Sequence, residues 1–129
     1  MKNFKAFYKI IVCFVLLVFT SNFTYGQNIP KDLKDKTPAE RAKFQTDLMK
    51  SKLNLDSNQS TKVQSVNLKY AQKFETILKS NDSKMTRLKQ AMELQKLKNE
   101  ELRKIFSASQ YKTYEKIEDE LKAKVKSKM

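Results

Sequence analysis

Leu55-Asp56-Ser57-Asn58-Gln59 and Phe106-Ser107-Ala108-Ser109-Gln110 repeat one short pattern 51 residues apart. In each, a large apolar residue precedes a polar residue of the kind that caps helices, and Gln follows that cap by three positions. The first four amides of a helix have no partner within it. A short polar side chain at the N-cap accepts from one of them, and a Gln at the third helical position reaches back to the N-cap amide. The apolar residue falls at N′, where it staples the incoming chain against the new helix. The two stretches therefore predict two sharp helix-to-helix corners. One is built from Leu55, Asp56 and Gln59, the other from Phe106, Ser107 and Gln110. Thr37-Pro38-Ala39-Glu40 predicts a third helix start, with Thr as cap, Pro at the first helical position and Glu at the third.

Working outward from the corners gives four helices. The first runs from about Pro38 to Leu53, with Phe44, Leu48 and Met49 on its apolar side. The second runs from about Ser57 to Lys79, and Val63, Val66, Tyr70, Phe74 and Ile77 recur at spacings of three and four. Ser80-Asn81-Asp82-Ser83 is a turn cluster in which Asp82 or Ser83 caps the next helix. The third runs from about Lys84 to Ile105, with Met85, Leu88, Met92, Leu102 and Phe106 on one side and Leu94 and Leu97 outside that stripe. The fourth runs from about Ala108 to Lys126, with Tyr111, Tyr114, Ile117, Leu121 and Val125 aligned. Glu75 precedes Lys79, Glu100 precedes Lys104, Glu118 precedes Lys122 and Glu120 precedes Lys124 by four residues. Each such pair adds a few tenths of a kcal/mol to a helix. No stretch alternates with period two, so the fold class is all-α.

At 1.5 Å per residue, the middle helices of roughly 22 residues each extend about 33 Å. Their apolar stripes are narrow, and so short a chain encloses little volume. These features predict a long helical hairpin with docked end helices, not a thick bundle. Such a layer leaves apolar surface exposed or covered by a second chain.

The N-terminus predicts export. Lys2, Lys5 and Lys9 precede an apolar run from Ile10 to Phe19, and Thr24-Tyr25-Gly26 places small residues at −3 and −1 before Gln27. That is the layout of a cleaved signal peptide over residues 1–26. An apolar run of about ten residues is short for a membrane span. Residues 27–36 form a polar leader containing Pro30, and residues 37–129 the helical domain.

Cleavage at that point leaves a chain without Cys, His, Trp or Gly. The first two absences remove disulfides, zinc or haem ligation and the Ser-His and Cys-His pairs of nucleophilic catalysis. The absence of Gly removes phosphate-cradling loops. Glu100-Glu101 and Glu118-Asp119-Glu120 fall on helices among lysines and read as solvated faces, not as acid–base pairs. Met49, Met85 and Met92 read as core or groove filler, not as soft copper ligands. The expectation is a protein without catalytic, metal or cofactor sites.

The paired corners resemble the Leu-Thr-x-x-Gln motif of the Spy/CpxP-like periplasmic chaperones. Gln59 and Gln110 match the two Gln positions and Leu55 the first Leu. Asp56 and Ser107 stand in place of Thr, and Phe106 in place of the second Leu. The resemblance covers the chain from about Lys36 onward. It implies a thin, curved, antiparallel homodimer in the periplasm of a Gram-negative bacterium. It also implies ATP-independent binding of unfolded or aggregation-prone proteins as part of envelope stress protection. The family's heavy-metal-sensing branch uses His, which this chain lacks. From stripe position, Phe74, Met85, Met92 and Leu97 are the candidate client contacts.

Charge and composition suit that expectation. The formal net charge is +13, and about +10 remains after removal of the signal peptide. Such a charge steers anionic partners toward the surface. Lysines also serve plain solubility. Two other classes stay open. One is a binder of anionic envelope lipid, for which Leu121 to Lys128 is the most suggestive stretch. The other is an accessory or inhibitory subunit of an envelope stress sensor. Export, three arginines and no interleaved aromatic-basic motif argue against nucleic acid.

Overall fold

The computed structural model describes residues 36–127, with side chains as far as Glu120 and at Ala123. The signal-peptide and leader readings for 1–26 and 27–36 lie outside the described residues, Lys36 apart. Four helices account for most of the rest. They are α1 (Pro38–Leu53), α2 (Ser57–Lys79), α3 (Lys84–Ile105) and α4 (Ala108–Ser127). No strand occurs among the described residues. The fold is all-α.

Each helix starts where its cap dictates. Thr37 accepts from the Glu40 amide while Glu40 takes the Thr37 amide at 2.8 Å, and Pro38 occupies the first helical position. Asp56 and Gln59 form the same reciprocal box at the head of α2. Ser83, not Asp82, caps α3 through the Thr86 amide. Asp82 instead accepts from Ser80 and Gln90. Ser107 and Gln110 close the box at the head of α4, at 2.9 and 3.2 Å.

α1 stops at Asn54, whose φ of 50° lies in the left-handed region that Asn tolerates better than most residues. The Asn54 and Leu55 amides both return to the Lys50 carbonyl. The corner between α3 and α4 lacks that extra residue: Phe106 donates straight back to Leu102.

Neighbouring helices run antiparallel. α1 lies along α2, and α2 lies along α3. α4 folds back on α3 through Tyr114, Gln95 and Asn99, and its start touches α1. The core runs along the same path. Met49, Leu53 and Leu55 pack with Val63, Val66, Tyr70 and Phe74 of α2, with Ala91 and Leu102 of α3, and with Phe106 and Tyr114. Val63 and Leu102 are wholly excluded from solvent. Phe106 and Tyr114 meet at a tilt, with ring centroids 5.7 Å apart.

Two faces differ from the expected stripes. On α1 the inward side is Arg41, Ala42, Gln45, Thr46, Met49 and Leu53, whereas Phe44 and Leu48 are only half-buried. Polar residues take that face because they have partners there. Arg41 pairs with Glu75 of α2, and Thr46 accepts from Asn67 at 2.9 Å. On α3 the inward line is Leu88, Ala91, Lys98 and Leu102. Met85 and Met92 point outward, because the face that meets α2 and α4 is centred on smaller and polar residues.

Candidate functional site

The two corners meet. The Gln59 amide nitrogen donates to the Gln110 Oε1 at 2.7 Å, and the Gln110 nitrogen donates to the Gln59 Oε1 at 3.1 Å. Each nitrogen spends its second hydrogen on a helix C-terminus. Gln59 donates to the Ile105 carbonyl at the end of α3, and Gln110 to the Leu53 carbonyl at the end of α1. Each oxygen also accepts from its own N-cap amide. Both side-chain amides thus use all four of their hydrogen-bonding positions. The ends of α1 and α3 and the starts of α2 and α4 are tied by one amide pair. The arrangement is pseudo-symmetric, each Gln serving a carbonyl at the end of the helix that leads into the other corner.

A polar cluster lies farther along α3. Glu118 of α4 is 4% exposed, not on a solvated face. Its carboxylate accepts from Tyr114 at 2.9 Å, Gln95 at 3.0 Å and Asn99 at 3.1 Å. The Asn99 side-chain oxygen lies at the same 2.9 Å from the Tyr114 hydroxyl, so the single phenol hydrogen is shared between Glu118 and Asn99. Burial, with the Glu118 charge, pushes the Tyr114 phenol well above its ordinary range. Lys98 is 6% exposed and donates to Gln45 of α1 at 2.9 Å. Burial brings the Lys98 ammonium down from 10.5 to about 8, against the opposing effect of the Glu118 charge. Asn67 occupies the position in α2 that corresponds to Glu118 by the 51-residue repeat, and it is also fully buried. Sequence patterning hides all of these groups, because charged and amide residues count as surface until their partners are known.

A third cluster joins α2 to α3. Glu101 accepts from Lys69 and, at 2.8 Å, from Tyr70. Burial and that bond push Tyr70 up to about 12.

The expected client contacts separate into two kinds. Phe74 is 5% exposed and belongs to the core, where α2 packs against its neighbours. Met85, Met92 and Leu97 are exposed, as is Leu78. They do not form one stripe. A helix advances about 100° per residue, so Leu97 lies roughly 140° around α3 from Met92, whereas Met85 and Met92 nearly align. Lys89 and Lys96 stand exposed on the Met85–Met92 side. Shallow depressions flank both corners. One is lined by Asp47, Lys50, Ser51, Asn54 and Leu55, the other by Thr61, Lys62, Ser65, Val66, Glu101, Lys104 and Ile105. No metal-competent group of three or more His, Cys, Asp or Glu occurs among the described residues. No helix among them is long and apolar enough to cross a membrane.

The family model described as a domain of unknown function (DUF4890) matches residues 26–114, well over half the chain and including both glutamine corners. The chain belongs to the DUF4890 family. No curated protein and no solved structure matches it. The joined corners are a structural device. The exposed methionines stand among exposed lysines.

Proposed function

We propose that the protein is an exported, ATP-independent chaperone of the Spy/CpxP-like kind, binding unfolded or aggregation-prone chains in the periplasm as a homodimer. The observation that carries this reading is the exposure of Met92, Met85, Leu97 and Leu78 on helices rich in lysine. Of these, Met85 and Met92 nearly align on one side of α3, and such a pair among lysines suits a surface that meets another molecule. Methionine adapts its shape to varied partners, and the stems of Lys89 and Lys96 add apolar surface beneath mobile charges. A surface of this kind accepts many segments without selecting one sequence. The joined corners support the reading too, because they brace a long hairpin at one end.

Purified protein, without ATP, tests the proposal by suppressing aggregation of a reduced, unfolded client. Suppression at near-stoichiometric ratios is the expected result. No suppression, together with tight binding to anionic vesicles, would replace this reading with that of an envelope-surface protein.

A further inference from the structure

The described residues include Met49, Met85 and Met92, and the fold treats them in two ways. Met49 is 7% exposed and packs in the core, with its Sδ 3.8 Å from the Asn67 side-chain nitrogen. Met85 and Met92 are 40% and 54% exposed. They stand about 10 Å apart along α3 and nearly on one line. The chain has one Cys, Cys13, within the segment read as a signal peptide. Its expected removal leaves thioethers as the only sulfur. We propose that Met85 and Met92 form a paired, reversible oxidation site: hypochlorous acid converts both thioethers to sulfoxides and turns this side of α3 from apolar to polar, while Met49 and the fold are spared.

The thioether lone pair attacks the chlorine of hypochlorous acid, and the O–Cl bond breaks to release hydroxide. Water then attacks the chlorosulfonium sulfur. The S–O bond forms, chloride leaves with the S–Cl electron pair, and two protons are lost, one of which neutralises the hydroxide. Sulfur is oxidised by two electrons and chlorine is reduced by two. Two thiols reverse the change, giving back the thioether with a disulfide and water.

Access decides which sulfur reacts. The oxidant must reach the lone pair, and the packed core around Met49 excludes it. A sulfoxide is polar and accepts hydrogen bonds. On an exposed side chain water supplies the donors, so α3 keeps its place in the fold. The cost falls on binding, because a group that holds water gains nothing by leaving it. Met85 and Met92 share one side of α3, whereas Leu97 lies roughly 140° around from Met92. Two oxygen atoms therefore remove both large apolar side chains from that side. The effect on client binding rests on the chaperone reading. The oxidation site and its change of polarity do not.

Full-length protein treated with limiting hypochlorous acid and read by peptide mass spectrometry tests the site. Met85 and Met92 are expected to gain one oxygen each at least about tenfold faster than Met49, because exposure sets susceptibility. The urea midpoint is expected to stay unchanged. Retention on a hydrophobic-interaction column is expected to fall, and to recover after methionine sulfoxide reductases with dithiothreitol. Met85→Leu/Met92→Leu keeps the apolar surface without sulfur there, and is expected to hold its retention through the same treatment. Oxidation of Met49 in step with the pair, unfolding on oxidation, or unchanged retention of the parent would overturn the site. In the aggregation assay the oxidised parent is expected to lose suppression and the treated leucine variant to keep it. An oxidised parent that suppresses as well as the untreated one would overturn the control of binding and leave the chaperone reading standing. An untreated parent that never suppresses would remove the chaperone reading, and the peptide and retention measurements then decide the site.

Discussion

Gln59 and Gln110 hold each other's side-chain amides reciprocally, at 2.7 and 3.1 Å, across 51 residues of sequence. Two local capping signals have become one tertiary joint. Each Gln first completes its own helix start and then serves a carbonyl of the opposite corner. Cutting either one therefore strands groups at both corners.

The joint predicts strong non-additivity. Gln59→Ala and Gln110→Ala are each expected to cost about 1–3 kcal/mol, more than a lost cap, because partly buried groups are stranded. The double variant is expected to cost less than the sum, with a coupling of about 0.5–3 kcal/mol. Urea denaturation of the four-member cycle measures it. Strict additivity would mean that the amide pair contributes nothing beyond two separate caps.

Asp56→Ala and Ser107→Ala remove the side-chain acceptors of the Gln59 and Gln110 backbone amides, and Ser107→Ala also removes an exposed hydroxyl contact with Ser109. Each is expected to cost about 0.5–2 kcal/mol and to add with the other, since the two caps share no direct contact. Thermal melts of the single and double variants check this.

Glu101 gives an acid limb of defined sign. Its carboxyl is held below the ordinary 4.5, chiefly by the Lys69 bond and then by Tyr70, with burial opposing both. Its contribution is therefore complete above about 4.5 and is lost as pH falls through the lower folded value. Glu101→Gln is expected to flatten that part of the stability curve below about pH 5. Tyr70→Phe is expected to cost roughly 0.5–1.5 kcal/mol near neutrality, through one lost hydrogen bond. Chemical denaturation across the acid range reads both.

Phe74 and Met92 are expected to separate stability from binding. Phe74→Ala leaves a hole beneath α2 and costs about 3–5 kcal/mol. Met92→Ser, on a 54% exposed side chain, changes stability by no more than about 0.5 kcal/mol. If the proposed chaperone surface is correct, Met85→Ser with Met92→Ser speeds client release without slowing capture. Leu97→Ser has a separate and smaller effect, because Leu97 lies on another side of α3. Capture itself slows as salt rises above about 0.15 M, where screening shortens to roughly 8 Å. Stopped-flow binding to an acidic unfolded client, with melts of each variant, distinguishes these outcomes. Equal release rates for Met85→Ser/Met92→Ser and the parent would remove the methionine face from the site.

The sequence alone determined the helices, since caps, turn residues and apolar spacing act within a few residues of one another. The starts of α1, α2, α3 and α4 at Pro38, Ser57, Lys84 and Ala108 are set by Thr37, Asp56, Ser83 and Ser107. It also determined the inward face of α2, where Val63, Val66, Tyr70 and Phe74 leave no other apolar side. Only the tertiary structure decided that Gln59 meets Gln110, because nothing local brings together residues 51 apart. It alone turned Lys98 and Glu118 inward and Met85 and Met92 outward. A buried charge is tolerated only where partners solvate it, and Gln45, Asn99 and Gln95 reach those positions only after the helices have packed.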